Sequence, residues 1–285
     1  MNKFIKLIIT IFILAIVFKF NDYSYSINNL FVNKYIFLIF IFFFLLSIIF
    51  LSTRWLLLTS IIFKNKISFL YNTLITLAAY AYNVTIFGGV GDLSKIYYFQ
   101  RMNITKVASL ILVERIIGLI TSLGLNIFII INFFNIQLSI MFILIFFFIF
   151  IFLLKKKLLL KYLPYFNIVN YDVQKIILNN KIYLVIFISF ILHFIFYINH
   201  YFLIKFFGID ISFKEVLLIL AILSLANSFP FSYGGFGVRE LFILLFSSNI
   251  LTDVKDIFDF TLTLGLMNLI LGILILSLYK FIKKY

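Results

Sequence analysis

No cysteine occurs in the 285 residues, which excludes disulfides, thiolate nucleophiles and thiolate metal sites. Acidic residues are scarce, ten against 24 lysines and arginines. They are scattered rather than gathered, so the carboxylate clusters that hold catalytic divalent metals are missing. The two histidines, His193 and His200, share one apolar run without an acidic neighbour. They make a poor zinc site, but they fall on one helical face and suit hydrogen bonds between helices. No G-x-x-x-x-G-K-[ST] loop is present, which excludes a P-loop nucleotide site. No cofactor and no metal are expected.

Apolar residues are abundant. The chain is 65% hydrophobic and 12% charged, and its apolar residues form runs near the bilayer-spanning length of about 20 residues. Nothing alternates with the two-residue period of a barrel strand. The expected fold is an all-α polytopic membrane protein with about 7–9 transmembrane helices, including re-entrant or broken helices, and with a possible inverted repeat. Residues 1–285 are expected to form a single integral membrane domain, with possible halves 1–135 and 136–285. The formal charge of +14 lies mostly in short segments between apolar runs, so it reports topology rather than a nucleic-acid partner.

Full spans are expected at Phe4–Phe20, Tyr35–Leu51, Val107–Phe134, Leu138–Leu154, Ile182–Ile204, Val216–Phe229 and Phe260–Tyr279. The first run reads as an uncleaved signal anchor. Lys3, Lys6, Arg54, Lys64, Lys66, Lys155–Lys157, Lys161, Lys280, Lys283 and Lys284 should be cytoplasmic, and with them both termini. The Asn135–Gln137 turn and an acidic loop with Asp253, Asp256 and Asp259 should lie outside. A full crossing by Ile67–Phe87 would put Lys95, Arg101 and Lys106 outside. A re-entrant excursion that breaks near Gly88–Gly91 restores every sign, and backbone broken at membrane depth belongs beside protein or a watery cavity.

The break has an echo. GGVGDLSK at Gly88–Lys95 and GGFGVRE at Gly234–Glu240 share a glycine pair, one spacer, a third glycine and then charge. Interrupted hydrophobic segments at corresponding places in two halves point to a transporter site, whereas tight loops between ordinary helices are the plain alternative. Gly88, Gly89, Gly91, Pro230, Gly234, Gly235 and Gly237 are the candidate hinge positions. A helix opening after the second break, from Val238, would place Arg239 in its first turn, where free N–H groups and the dipole favour a phosphate or carboxylate.

Glu114 and Arg115 lie inside the apolar run SLILVERIIGLITSLGL. A charge at the centre of a span costs about 2.5–3.5 kcal/mol on insertion scales, so such residues face protein or water and mark function. Adjacent helical positions point about 100° apart, so each needs a partner on another segment. Asp92, Lys95, Arg101, Arg239 and Glu240 are the candidates, for example Glu114 with Arg239 and Arg115 with Glu240. Such pairs either lock helices together or form a site. Arg54 with Trp55, the sole tryptophan, reads as an interfacial anchor at the end of its span.

In order, STRW at Ser52–Trp55, GDLSKIYYFQRMNI at Gly91–Ile104, ASLILVERIIGL at Ala108–Leu119 and FPFSYGGFGVRE at Phe229–Glu240 resemble the lysylphosphatidylglycerol synthase transmembrane family, also described as flippase-like. The resemblance runs from about Ser52 to the last helix. It implies site residues at Arg54, Asp92, Lys95, Arg101, Glu114, Arg115, Pro230, Gly234, Gly235, Gly237, Arg239 and Glu240. In full-length synthases of that family the membrane domain is associated with moving an aminoacylated phospholipid between leaflets, and a separate soluble domain transfers the aminoacyl group. That transfer is not expected of these residues. Lys95 stands where relatives often carry arginine, and a compact ammonium lacks the bidentate fork.

The resemblance therefore implies a flippase-like transporter in a bacterial or archaeal cytoplasmic (inner) membrane, acting on an anionic or aminoacylated phospholipid or another lipid-linked headgroup. Arg239, Glu240, Glu114, Arg115, Asp92, Lys95, Arg101 and Arg54 would bind the substrate. A membrane-embedded enzyme or accessory subunit of a glycolipid or polyprenyl-phosphate pathway stays open beside it, and enzymes of lipid or glycolipid synthesis are possible partners.

Overall fold

The structure, a computed structural model, describes residues 34–63, 67–85, 91–99, 103–133, 172–173, 175–227, 238–245 and 254–282. The expected spans Phe4–Phe20 and Leu138–Leu154 lie outside them. The chain folds as an all-α polytopic membrane protein, with no strand among the described residues. In order its helices are α1 (Lys34–Ile62), α2 (Phe69–Thr85), a 3-10 turn (Gly91–Leu93), α3 (Ser94–Tyr98), α4 (Ile104–Phe133), α5 (Lys181–Phe206), α6 (Phe213–Asn227), α7 (Val238–Leu245) and α8 (Val254–Ile282).

Apolar segments of 23 to 26 residues within α1, α4, α5 and α8 are long enough to cross a bilayer. In such helices polar side chains must be satisfied locally, because lipid offers no partner. Hydroxyls bond back to their own helix, as Ser109 to the Thr105 carbonyl at 2.8 Å, Ser189 to Val185 at 2.9 Å and Thr261 to Phe258 at 3.0 Å. This back-bonding lets the runs tolerate serine and threonine without breaking.

For the same reason α1 overruns the expected end at Leu51. Ser52 and Thr59 are buried, and Thr59 donates to the Leu56 carbonyl at 2.9 Å. Arg54 and Trp55 therefore lie eight and seven residues inside the helix, about 12 Å from its end. Trp55 is fully buried with its ring 6.1 Å from that of Phe99, which corrects the expectation of an interfacial anchor. Packing against the segment after the first break encloses the indole in protein, out of reach of lipid headgroups.

The remaining helices are shorter. α2 has 17 residues and α6 has 15, about 26 and 22 Å, against a hydrocarbon core near 30 Å. Each is followed by a glycine motif and then by a short helix. The chain reverses after α2: the Gly91 amide donates to Asn83 Oδ1 at 2.5 Å, and Tyr71 Oη donates to the Tyr98 carbonyl at 3.1 Å. The segment from Gly91 to Tyr98 thus runs back toward the start of α2, as a re-entrant hairpin requires. Only glycine fits at position 91, because an added Cβ would overlap the Asn83 backbone and stand 2.7 Å from the Ala79 carbonyl. α7 likewise packs against α6, and also against α8.

The element order repeats. A long span, a shorter helix, a glycine break, a short helix and a second long span occur as α1 to α4 and again as α5 to α8. The offset is nearly constant: 144 residues from Phe69 to Phe213, 144 from Ser94 to Val238, and 146 from Gly88 to Gly234.

Two compact units share the chain, and they interleave along it. The first comprises Met1–Ile49, Thr73–Lys95 and Phe194–Tyr285, and the second Phe50–Asn72 and Ile96–His193. In the first, α6 is buried on every side from Leu218 to Leu223, as an all-apolar central helix should be. Tyr80 Oη of α2 donates to Asn268 Oδ1 of α8 at 2.6 Å. His200 packs on Phe196 and Phe260, at ring distances of 3.9 and 6.2 Å. α5 ends at Gly208 with φ of 76°, a left-handed cap open to glycine. α6 then begins with a capping box, Ser212 N donating to Glu215 Oε2 at 3.1 Å and Glu215 N to Ser212 Oγ at 3.3 Å. In the second unit Phe63 stacks on Phe99 at 6.3 Å, and Asn72 Nδ2 donates to the Ser52 carbonyl at 2.5 Å.

Candidate functional site

The expected site residues fall into two sets, each within one unit. In the first unit, Asp92 occupies the 3-10 turn and Lys95 the first turn of α3, so the two are three residues apart. Lys95 Nζ lies 3.3 Å from Asp92 Oδ1, with the lysine side chain 3% exposed. Arg239 and Glu240 occupy the first turn of α7, 3% and 0% exposed. Each cation is thus the second residue of a short helix that opens after a glycine motif. Burying an ion from water costs several kcal/mol, and here the carboxylates Asp92 and Glu240 offset it. The N-terminal end of the α7 dipole adds positive potential beside Arg239. Arg239 also acts electrostatically on His200 of α5, so the histidine and the second short helix share one interior.

Asp256 and Asp259 belong to the first two turns of α8 rather than to a loop. α8 begins at Val254, where the helix dipole favours acidic residues, so the acidic loop expected there is shorter than the composition suggested. Asp253 lies outside the described residues.

The second unit holds the intramembrane charge. Arg54 Nη2 of α1 donates to Glu114 Oε1 of α4 at 2.9 Å, with side chains 12% and 3% exposed. Arg54 Nη1 donates to Ser189 Oγ of α5 at 3.3 Å. Three long spans therefore meet at one ion pair. One turn further along α4 is Gly118, where the nearest atom to an added Cβ would be Arg54 Nη1 at 4.0 Å. Another turn brings Thr121, whose Oγ1 lies 3.2 Å from His193 Nε2 of α5. This is the hydrogen bond between helices that the position of His193 suggested. Asn126 Nδ2 then donates to Ser122 Oγ at 3.3 Å.

These contacts also set a common depth. Lys181 Nζ of α5 donates to Ser60 Oγ of α1 at 2.9 Å, so the end of α1 and the start of α5 lie side by side. Arg54, Glu114 and Ser189 sit about 12, 15 and 12 Å along their helices from that end. The pair is consequently two to three turns in from the helix ends that carry Lys106 and Lys181.

Glu114 thus pairs with Arg54, a partner that spacing along the chain did not suggest. Arg115 is exposed on another face of α4, outside the Arg54–Glu114–Ser189 cluster. Arg101, Gly88, Gly89, Pro230, Gly234, Gly235 and Gly237 lie outside the described residues. Sequence reasoning missed Ser189, Gly118 and Thr121. The available signal was helical spacing: Glu114, Gly118 and Thr121 at i, i+4 and i+7, opposite Ser189 and His193 at i and i+4.

No curated protein and no solved structure matches the chain significantly. Residues 3–255 match the model of the family described as Lysylphosphatidylglycerol synthase TM region; that stretch contains both glycine motifs and the Arg54–Glu114 pair, and the chain belongs to this family.

Proposed function

We propose that the protein moves a lipid with an anionic headgroup between leaflets of a bacterial or archaeal cytoplasmic membrane, with the basic end of the second unit facing the cytoplasm. The observation that carries this reading is the paired burial of Lys95 and Arg239, each at the start of a short helix after a glycine motif. A buried ammonium or guanidinium at a helix start is a receptor for phosphate or carboxylate, and in a bilayer the abundant anion is lipid phosphate. The repeated order of elements supports two halves that close on one substrate. Aminoacylated phospholipid is the substrate that family membership favours.

The test is reconstitution in liposomes containing a fluorescent phosphatidylglycerol, followed by quenching of the outer leaflet. Wild-type protein should empty the inner leaflet faster than protein-free vesicles, and Arg239→Ala should slow this at least about tenfold, the effect of losing one charge-assisted contact of about 1.5–3 kcal/mol. Equal rates for wild type, Arg239→Ala and empty vesicles, across anionic and aminoacylated probes, would overturn the proposal.

A further inference from the structure

Within the first unit, α8 meets α2 at two levels one helical turn apart. Tyr80 Oη of α2 donates to Asn268 Oδ1 at 2.6 Å, while Asn268 Nδ2 donates to the Leu264 carbonyl at 2.9 Å. The second bond fixes which end of the amide faces the tyrosine. One turn further along α8 is Gly272, where an added Cβ would stand 2.9 Å from Thr85 Cγ2, 3.5 Å from Val84 Cβ and 3.7 Å from the Ala81 carbonyl. Thr85 Oγ1 donates to that same carbonyl at 2.6 Å, so its methyl cannot turn away without losing the bond. A close approach at a small residue beside a side-chain hydrogen bond is how helices hold together in lipid, where the hydrophobic drive between them is absent.

The neighbouring face of the same turns of α2 carries the first break. Asn83 Oδ1 accepts the Gly91 amide at 2.5 Å, and a Cβ at position 91 would stand 2.7 Å from the Ala79 carbonyl. Ala79 and Asn83 precede Tyr80 and Val84 by one position each, about 100° round the helix. The turns that α8 grips on one flank therefore hold Gly91 on the next. From Gly91 the chain leads directly to Asp92 and Lys95, whose ion pair closes at 3.3 Å. All of these residues belong to the one unit.

We propose that Asn268 and Gly272 are positioning residues for Lys95. They seat the last two turns of α2 on α8, and through Gly91 that seat fixes where the Asp92–Lys95 pair stands. Neither residue touches a headgroup: each acts through α2. The effect on lipid movement rests on the transport reading above, whereas the seat itself does not.

Two measurements separate them. The chain has no cysteine, so Ser94→Cys supplies a single thiol beside Lys95, at a position where the native Oγ is shut off from solvent. Its rate of reaction with a maleimide in detergent reads the seat without any lipid being moved. Two changes disturb the seat in this background. Tyr80→Phe removes the hydrogen bond and keeps the ring against Phe44, 4.9 Å away. Gly272→Ala presses on the Thr85 methyl, which Thr85→Ser then deletes while keeping the hydroxyl. Labelling should rise several-fold in each, and Thr85→Ser added to Gly272→Ala should bring it back. Unchanged labelling in either variant overturns the role of the residue it tests, Asn268 or Gly272, and a rise that Thr85→Ser does not reverse overturns the seat. In liposomes with fluorescent phosphatidylglycerol, Gly272→Ala should slow the wild type several-fold and add nothing to Lys95→Ala, because residues that act through one another are not additive. Equal slowing in both backgrounds overturns the positioning of Lys95 and leaves transport standing. A failure of lipid to move in the wild type counts against transport, and the thiol labelling then decides the seat by itself.

Discussion

Removing Glu114 tests whether the ion pair of the second unit is as sheltered as its geometry indicates. Arg54 is 12% and Glu114 3% exposed, so little solvent screening discounts their interaction. Glu114→Ala leaves a largely buried guanidinium that, among the described residues, keeps Ser189 Oγ at 3.3 Å as its hydrogen-bond partner. Breaking a buried pair by deleting one partner costs about 3–5 kcal/mol, or two to three and a half orders of magnitude in the folding equilibrium. Replacing both partners with apolar residues, as in Arg54→Met with Glu114→Leu, removes the uncompensated charge and should restore stability to within about 1 kcal/mol of wild type. Reversible unfolding in bicelles, monitored by steric trapping, measures both variants. A cost for Glu114→Ala below about 1 kcal/mol, typical of a surface pair, would refute the burial. A double variant as unstable as the single would refute the electrostatic account. If the double variant folds but no longer transports lipid, the pair serves function beyond packing.

Gly91→Ala forces a methyl against the backbone of α2, where neither the Asn83 amide nor the Ala79 carbonyl can rotate away. The hairpin must shift, at about 1–3 kcal/mol, and a thermal melt in detergent unchanged from wild type would show that the segment does not return along α2. Trp55→Ala empties a fully buried site beside Phe99. Lipid is as apolar as the core, so the packing and cavity part remains, about 2–3 kcal/mol. An interfacial tryptophan would cost far less, and the same melt distinguishes the two.

Much of this architecture was legible without coordinates. The apolar runs marked α1, α4, α5 and α8, and the charge-parity conflict around Lys95, Arg101 and Lys106 pointed to the reversal after α2. Arg239 falls in the first turn of α7, as the glycine motif before it indicated. The departures share a cause. Ser52, Thr53 and Arg54 look like a helix end because local polarity is all that a window of sequence contains. In the structure α4 and α5 supply Glu114 and Ser189, so the helix continues through them.

The sequence alone determined that the chain is a helical membrane protein with two glycine-interrupted segments, because hydrophobic length and backbone hydrogen bonding in lipid permit little else. It also located the buried charges, since the cost of a charge in a span makes each one conspicuous. Which charges meet was decided only by tertiary structure. Arg54, Glu114 and Ser189 are separated by 60 and 135 residues counted from Arg54, and a pairing between spans depends on how deep each residue sits and which helix faces which. Those are properties of packing, and no local pattern along the chain encodes them.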